Sequence, residues 1–114
     1  MKDKVVIITG STSGIGLGIA KKFASSGAKI VINGFAELKQ VNEITQELKS
    51  LGANEVLFDG ANLSKPEEID SMFKNVINQF QTVDILVNNA GIQFVSPIED
   101  FPSEKWEALK WMEI

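Results

Sequence analysis

Close to its N-terminus the chain contains the segment Val5-Val6-Ile7-Ile8-Thr9-Gly10-Ser11-Thr12-Ser13-Gly14-Ile15-Gly16. The β-branched residues at its start are typical of a parallel strand that is buried on both faces. The glycines after them predict a turn and then a helix from about Gly14. Glycine allows backbone N–H groups to approach an anion, and a helix N-terminus adds a favourable partial charge. The segment therefore predicts a phosphate-binding turn, although its spacing is G-x-x-x-G-x-G rather than G-x-G-x-x-G.

Further strands and helices alternate along the rest of the chain. Apolar runs predict strands over residues 4–9, 29–32, 55–58 and 83–87. Apolar residues at every third or fourth position predict helices that begin near residues 14, 38 and 66. Because strands and helices alternate, we expect right-handed βαβ units and a parallel sheet. The predicted fold class is α/β: the N-terminal half of a Rossmann-type doubly wound parallel sheet, with strand order 3-2-1-4.

Two local patterns predict details of the later part of the chain. Ser64-Lys65-Pro66-Glu67 has the pattern of a capping box, in which Ser64 accepts a hydrogen bond from the N–H of Glu67 and the Glu67 side chain reaches back. After the fourth strand, a loop through Pro97 and Pro102 is expected to lead to a last helical segment near Trp106.

Composition excludes several classes of function. The 114 residues fit one domain, and the net charge of −4 argues against a nucleic-acid partner. No apolar run approaches the ~18 residues of a membrane span, and no secretory signal is visible, so we expect a cytoplasmic protein with no membrane partner. The sequence contains no Cys, His, Tyr or Arg, which removes thiolate chemistry, sulfur-ligated metals and the commonest general base.

Two motifs together resemble those of the short-chain dehydrogenase/reductase family. They are Thr9-Gly10-x-x-x-Gly14-Ile15-Gly16 and, after the fourth strand, Asn88-Asn89-Ala90-Gly91. The resemblance covers residues 1–109, which we interpret as a dinucleotide-binding half-domain, and residues 110–114 are a divergent tail. Three further stretches are similar to bacterial D-3-hydroxybutyrate dehydrogenases: Ile32-Asn33-Gly34-Phe35, residues 89–93, and residues 97–102 with Trp106.

The resemblance implies a set of site residues and leaves the catalytic and metal sets empty. The implied cofactor-binding residues are Gly10, Thr12, Ser13, Gly14, Ile15, Gly16, Phe35, Asn62, Leu63, Asn89, Ala90 and Gly91. Asn88 is expected to brace the sheet, and Gln93 is at the position that contacts a small substrate carboxylate. The family usually has Asp where this chain has Asn62; an amide still offers an acceptor to the adenine amino group.

The residues after the second strand favour NAD as the cofactor. An acidic residue there would hold the adenosine ribose of NAD, whereas a basic one would pair with the 2′-phosphate of NADP. This chain has Asn33-Gly34-Phe35, with no lysine between Lys29 and Lys39. Asn33 is expected to hydrogen-bond a ribose hydroxyl and Phe35 to pack near the adenosine. Glu37 is the alternative ribose partner, although the first turn of a helix suits it better.

The family's catalytic chemistry uses a Tyr with a neighbouring Lys, a Ser and an Asn, and this chain has no Tyr. We therefore expect a truncated, inactive chain that resembles the N-terminal part of a 3-hydroxybutyrate dehydrogenase, with the fourth strand as an exposed sheet edge through which copies self-associate. Two alternatives stay open. One is a fragment of another short-chain reductase, such as a 3-oxoacyl reductase, which predicts NADP and a nearby basic residue. The other is a non-enzymatic nucleotide-binding or interaction module.

Overall fold

Five strands form one sheet in the computed structural model, which describes residues 1–89 and the backbone of 94–97. The strands are β1 (Val5–Ile8), β2 (Lys29–Asn33), β3 (Glu55–Asp59), β4 (Ile85–Asn88) and β5 (Phe94–Pro97), and the helices are α1 (Gly14–Ala24), α2 (Leu38–Leu51) and α3 (Pro66–Phe80). The sheet order is β3-β2-β1-β4-β5, and the first four strands are parallel. The α/β fold and the strand order 3-2-1-4 are confirmed.

Helices cover both faces of the sheet. Successive strand residues point to opposite faces, so Val5 and Ile7 pack with α3, whereas Val6 and Ile8 pack with α1 and α2. All four residues of β1 are buried. This two-sided burial is the physical reason for the continuous β-branched run, because a strand with one solvent-facing side would alternate apolar and polar residues.

The start of α3 differs from the prediction. The residue before the helix is Lys65, which makes no side-chain capping bond. The prediction of a capping box is therefore wrong. The Ser64 hydroxyl instead donates to Oδ1 of Asn62 at 2.7 Å. The carboxylate that reaches back belongs to Glu68, which accepts a hydrogen bond from the N–H of Asn62 at 2.9 Å. Asn62 closes a tight turn with Ser64. The Ser64 hydroxyl is therefore already hydrogen-bonded before α3 begins and does not cap the helix.

The edge beyond β4 also differs from the prediction. β5 pairs with β4 in antiparallel register, with Asn88 opposite Phe94 and Ile85 opposite Pro97. The expectation of a loop through Pro97 and of an exposed fourth strand is therefore wrong. Pro97 is accommodated because β5 is an edge strand of the described sheet, and proline is tolerated in edge strands. Whether copies associate stays a prediction, and in the described sheet such pairing would have to use β3 or β5.

The predicted last helix near Trp106 lies outside the described residues. Within residues 1–89 and 94–97, no helix is long and apolar enough to cross a membrane.

Candidate functional site

A cleft of about 390 Å³ lies at the carboxyl ends of β1, β2 and β3. This is the edge at which open α/β sheets bind ligands. Six predicted cofactor residues line it: Gly10, Thr12, Ser13, Phe35, Asn62 and Leu63. Asn33, which was expected to bond a ribose hydroxyl, also lines it, together with three residues that had no predicted cofactor role: Gly34, Ala61 and Ser64.

The turn between β1 and α1 forms one wall of the cleft. Gly10 and Gly14 both have positive φ, at 60° and 58°, a conformation that favours glycine. Ser13 precedes α1 in an extended conformation and makes no side-chain capping bond, and the first turn of α1 contains no acidic residue. The orphan N–H groups of a helix N-terminus are thus left without a capping side chain, which suits an anionic ligand.

Gly16 allows α1 to approach the turn closely. A Cβ on Gly16 would lie 2.2 Å from the carbonyl oxygen of Gly10 and 2.6 Å from Nδ2 of Asn89. The Asn89 amide donates to that same Gly10 carbonyl at 3.2 Å. The structure therefore brings Asn89 against Gly10 and Gly16, although Asn89 lies far from both glycines in sequence. Ile15, in the same turn of α1, has a side chain that is 65% exposed.

The end of β4 is joined to the end of β1 through Thr9. The Thr9 hydroxyl donates to Oδ1 of Asn88 at 3.1 Å, and the N–H of Asn89 donates to the Thr9 hydroxyl at 2.9 Å. Asn88 is buried, and its predicted role in bracing the sheet is confirmed. The predicted residues Ala90, Gly91 and Gln93 lie outside the described residues.

Asn33 does not have the role predicted for it. Its amide Nδ2 donates to the carbonyl oxygens of Asp59 and Ala61, at 2.9 and 3.1 Å. The side chain is only 2% exposed. Both donor hydrogens of the amide are thus engaged within the protein, and Oδ1 accepts a hydrogen bond from the N–H of Gly10 at 3.4 Å. Contrary to the prediction, this buried amide has no donor left for a ribose hydroxyl.

The segment after β2 approaches the glycine-rich turn. A Cβ on Gly34 would lie 2.5 Å from Oγ1 of Thr12, so this position has no room for a side chain. Phe35 is 80% exposed at the cleft. Gln40, in the first turn of α2, donates to the carbonyl oxygen of Thr12 at 3.1 Å. The sequence offered no signal for Gln40, because an exposed helical glutamine is ordinary.

The loop after β3 forms the opposite wall of the cleft, and the environment of Asn62 differs from the prediction. Oδ1 of Asn62 accepts hydrogen bonds from both the N–H and the hydroxyl of Ser64, at 3.0 and 2.7 Å. A carbonyl oxygen has two lone pairs, so the acceptor expected to face an adenine amino group is already occupied. Asn62 shapes this loop, and Leu63 beside it is half-buried against the core.

The lining residues of the described cleft are all uncharged. In the part of the chain that the structure describes, acidic side chains form no group of three that could hold a metal ion. The site therefore offers backbone N–H groups, hydroxyls and apolar surface, which suit an anionic ligand with an aromatic base better than a chemistry that needs a charged side chain.

Comparison with known proteins identifies the class. The family described as short chain dehydrogenase matches residues 4–113, and the chain belongs to that family. Among curated relatives, the chain is 49% identical over 106 residues to a D-beta-hydroxybutyrate dehydrogenase of Rhizobium meliloti, a match that covers 93% of this chain and 41% of the relative. It is 47% identical over 110 residues to a D-beta-hydroxybutyrate dehydrogenase of Cupriavidus necator, covering 96% of this chain and 42% of the relative. The chain thus spans about two fifths of the length of these relatives.

Solved structures show the same fold with dinucleotides bound. The NADH-dependent reductase A1-R′ in complex with NAD matches with a TM-score of 0.74 and 31% identity, over 80% of this chain and 37% of that one. The L-sorbose reductase of Gluconobacter frateurii in complex with NADPH and L-sorbose matches with a TM-score of 0.72 and 39% identity, over 93% and 40%. Structural relatives therefore include both NAD-bound and NADPH-bound proteins.

Proposed function

We propose that this chain binds NAD in the cleft at the carboxyl ends of β1, β2 and β3, as the cofactor-binding part of a cytoplasmic 3-hydroxybutyrate dehydrogenase. The turn between β1 and α1 is the main support. Gly10 and Gly14 have positive φ, and the first turn of α1 contains no acidic residue that would compete with a ligand. A pyrophosphate at this helix N-terminus accepts hydrogen bonds from free N–H groups and is stabilised by the helix dipole.

The charge around the end of β2 supports NAD over NADP. The 2′-phosphate of NADP is usually neutralised by a basic residue at this place. In this chain no lysine lies between Lys29 and Lys39, and the sequence has no arginine. Glu37 directly precedes α2 and would repel a phosphate that approached the end of β2.

The proposed parent reaction converts 3-hydroxybutyrate and NAD to acetoacetate and NADH by hydride transfer to the nicotinamide. Its support is the similarity to two proteins named D-beta-hydroxybutyrate dehydrogenase. In this proposal Ala90 and Gly91 lie against the cofactor, and the Gln93 amide donates to the substrate carboxylate. The sequence has no Tyr, so we propose that the 114 residues alone bind cofactor without transferring a hydride.

Titration calorimetry of the 114-residue chain with NAD and with NADP tests the cofactor. We expect NAD to bind at least about tenfold more tightly, a difference of roughly 1.4 kcal/mol. Glu37→Lys should raise the affinity for NADP, whereas the control Glu43→Lys, further along α2, should leave both affinities unchanged. A preference for NADP contradicts the proposal and favours another short-chain reductase.

Absorbance of NADH in a mixture of the chain, NAD and 3-hydroxybutyrate tests the absence of catalysis. We expect no NADH to form. Formation of NADH contradicts the inactivity of the chain. A stably folded chain that binds neither dinucleotide contradicts the whole proposal and favours an interaction module.

A further inference from the structure

The side chain of Asn33 connects three parts of the cleft. Its Nδ2 donates to the carbonyl oxygens of Asp59 and Ala61, which belong to the end of β3 and the loop after it. Its Oδ1 accepts a hydrogen bond from the N–H of Gly10, at 3.4 Å, in the turn after β1. One buried amide at the end of β2 therefore contacts both of its neighbours in the sheet.

The backbone of Asn33 is held to the same turn. The N–H of Ser11 donates to the Asn33 carbonyl at 2.7 Å, and the N–H of Asn33 donates to the Ser11 hydroxyl at 2.9 Å. That hydroxyl also donates to the carbonyl of Ile8 at 2.7 Å. Ser11 is fully buried. The backbone bonds to Ser11 and the side-chain bond to Gly10 together fix the position of Asn33 relative to the glycine-rich turn.

The groups that Asn33 holds are parts of the two cleft walls. Gly10 lines the cleft on the side of α1, and Ala61 lines it on the side of α3. No other side-chain group of this length offers two donors and an acceptor in one plane. A carboxylate would keep the acceptor and lose both donors, and it would face two carbonyl oxygens. A leucine of similar size would leave three polar backbone groups without their partner.

We propose that Asn33 is a positioning residue for the dinucleotide: it sets the separation between the phosphate-binding turn and the loop 61–64 without contacting the ligand. This inference rests on the proposed function, and it assigns to Asn33 an effect on cofactor affinity that goes beyond its contribution to folding.

The test compares Asn33→Leu and Asn33→Asp with Ile30→Ala in the 114-residue chain. Ile30 is fully buried in the same strand, at the end away from the cleft, so its truncation destabilises the sheet without touching the site. For each variant, calorimetry measures the dissociation constant for NAD under conditions in which the variant is folded, well below the urea concentration at which it unfolds. Urea unfolding gives the stability.

Both Asn33 variants are expected to raise the dissociation constant for NAD about tenfold or more, because the walls lose a shared hydrogen-bond partner. Ile30→Ala is expected to lower stability and to leave the dissociation constant unchanged within about twofold. If Asn33→Leu does not fold, Asn33→Ser provides the same comparison with a smaller loss of contacts.

Asn33 variants that bind NAD as tightly as the unsubstituted chain would overturn this inference and leave the proposed function intact. An equal weakening by Ile30→Ala would also overturn it, because the loss would then follow stability alone. Failure of the unsubstituted chain to bind NAD is a separate result, which overturns the proposed function and this inference together.

Discussion

The two walls of the cleft are built in opposite ways. On the side of α1, Gly10 and Gly14 adopt positive φ, and the surrounding atoms leave no space for a Cβ at Gly16. On the side of α3, the loop is held by side chains: Asn62 accepts two hydrogen bonds from Ser64, and the Glu68 carboxylate accepts one from the backbone of Asn62. The first wall depends on the absence of side chains and the second on their presence. Steric overlap in the first wall should therefore lower the free energy of unfolding more than the loss of a hydrogen bond in the second wall.

Gly16→Ala is expected to have the largest effect. Its Cβ would overlap the backbone carbonyl of Gly10, which cannot move without shifting the turn. We expect a loss of roughly 2–3 kcal/mol in the free energy of unfolding, at the upper end of overpacking. Urea denaturation measures this loss, and calorimetry should show weaker NAD binding.

Gly18→Ala is the matched control for this prediction. Gly18 lies half a turn further along α1, and its Cβ would meet nothing within 4 Å. Alanine there should leave the stability unchanged or raise it by about 0.5–1 kcal/mol, since glycine is a poor helix former. Equal losses from Gly16→Ala and Gly18→Ala would show that steric closeness is not what distinguishes this wall.

Glu68→Ala is expected to have an intermediate effect on the second wall. It removes the acceptor for the N–H of Asn62, and we expect a loss of about 1 kcal/mol, moderated by the partial exposure of the carboxylate. Thermal or urea unfolding measures it. Glu67→Ala is the control, with an expected change within about 0.5 kcal/mol. A larger loss from Glu67→Ala than from Glu68→Ala would contradict this geometry and support the predicted capping box between Ser64 and Glu67.

Asn62→Asp is expected to have the smallest effect. A carboxylate oxygen accepts hydrogen bonds from Ser64 as the amide oxygen does, so the loop keeps its shape. We expect unfolding free energy to change by less than about 0.5 kcal/mol and NAD affinity by less than about threefold. A substantial gain in NAD affinity would mean that residue 62 contacts the adenine directly, contrary to the geometry of this loop.

The first wall was predictable because its causes are local. Four β-branched residues followed by spaced glycines restrict the backbone of β1 and its turn, whatever the rest of the chain does. The prediction for the second wall was wrong because it also relied on local spacing alone. Ser64 and Glu67 have the right spacing for a capping box, yet the pattern gave no indication that Asn62, two residues earlier, closes a turn of its own on Ser64.

The environment of Asn33 was beyond prediction because its partners are distant in sequence. Gly10, Asp59 and Ala61 lie 23, 26 and 28 residues away, and they meet Asn33 only when three strands align. An asparagine after a strand suggests a free polar group at the site. Only the assembled sheet shows that its donors are already used.

Periodicity and backbone sterics thus specified the order of the elements, the two-sided burial of the parallel strands and the location of the phosphate-binding turn. Those properties follow from interactions between residues close in sequence. The assembled fold established which polar groups are consumed within the protein and which strand covers β4. These depend on distances between separate elements, because hydrogen-bond partners and sheet neighbours are chosen across the whole chain rather than along it.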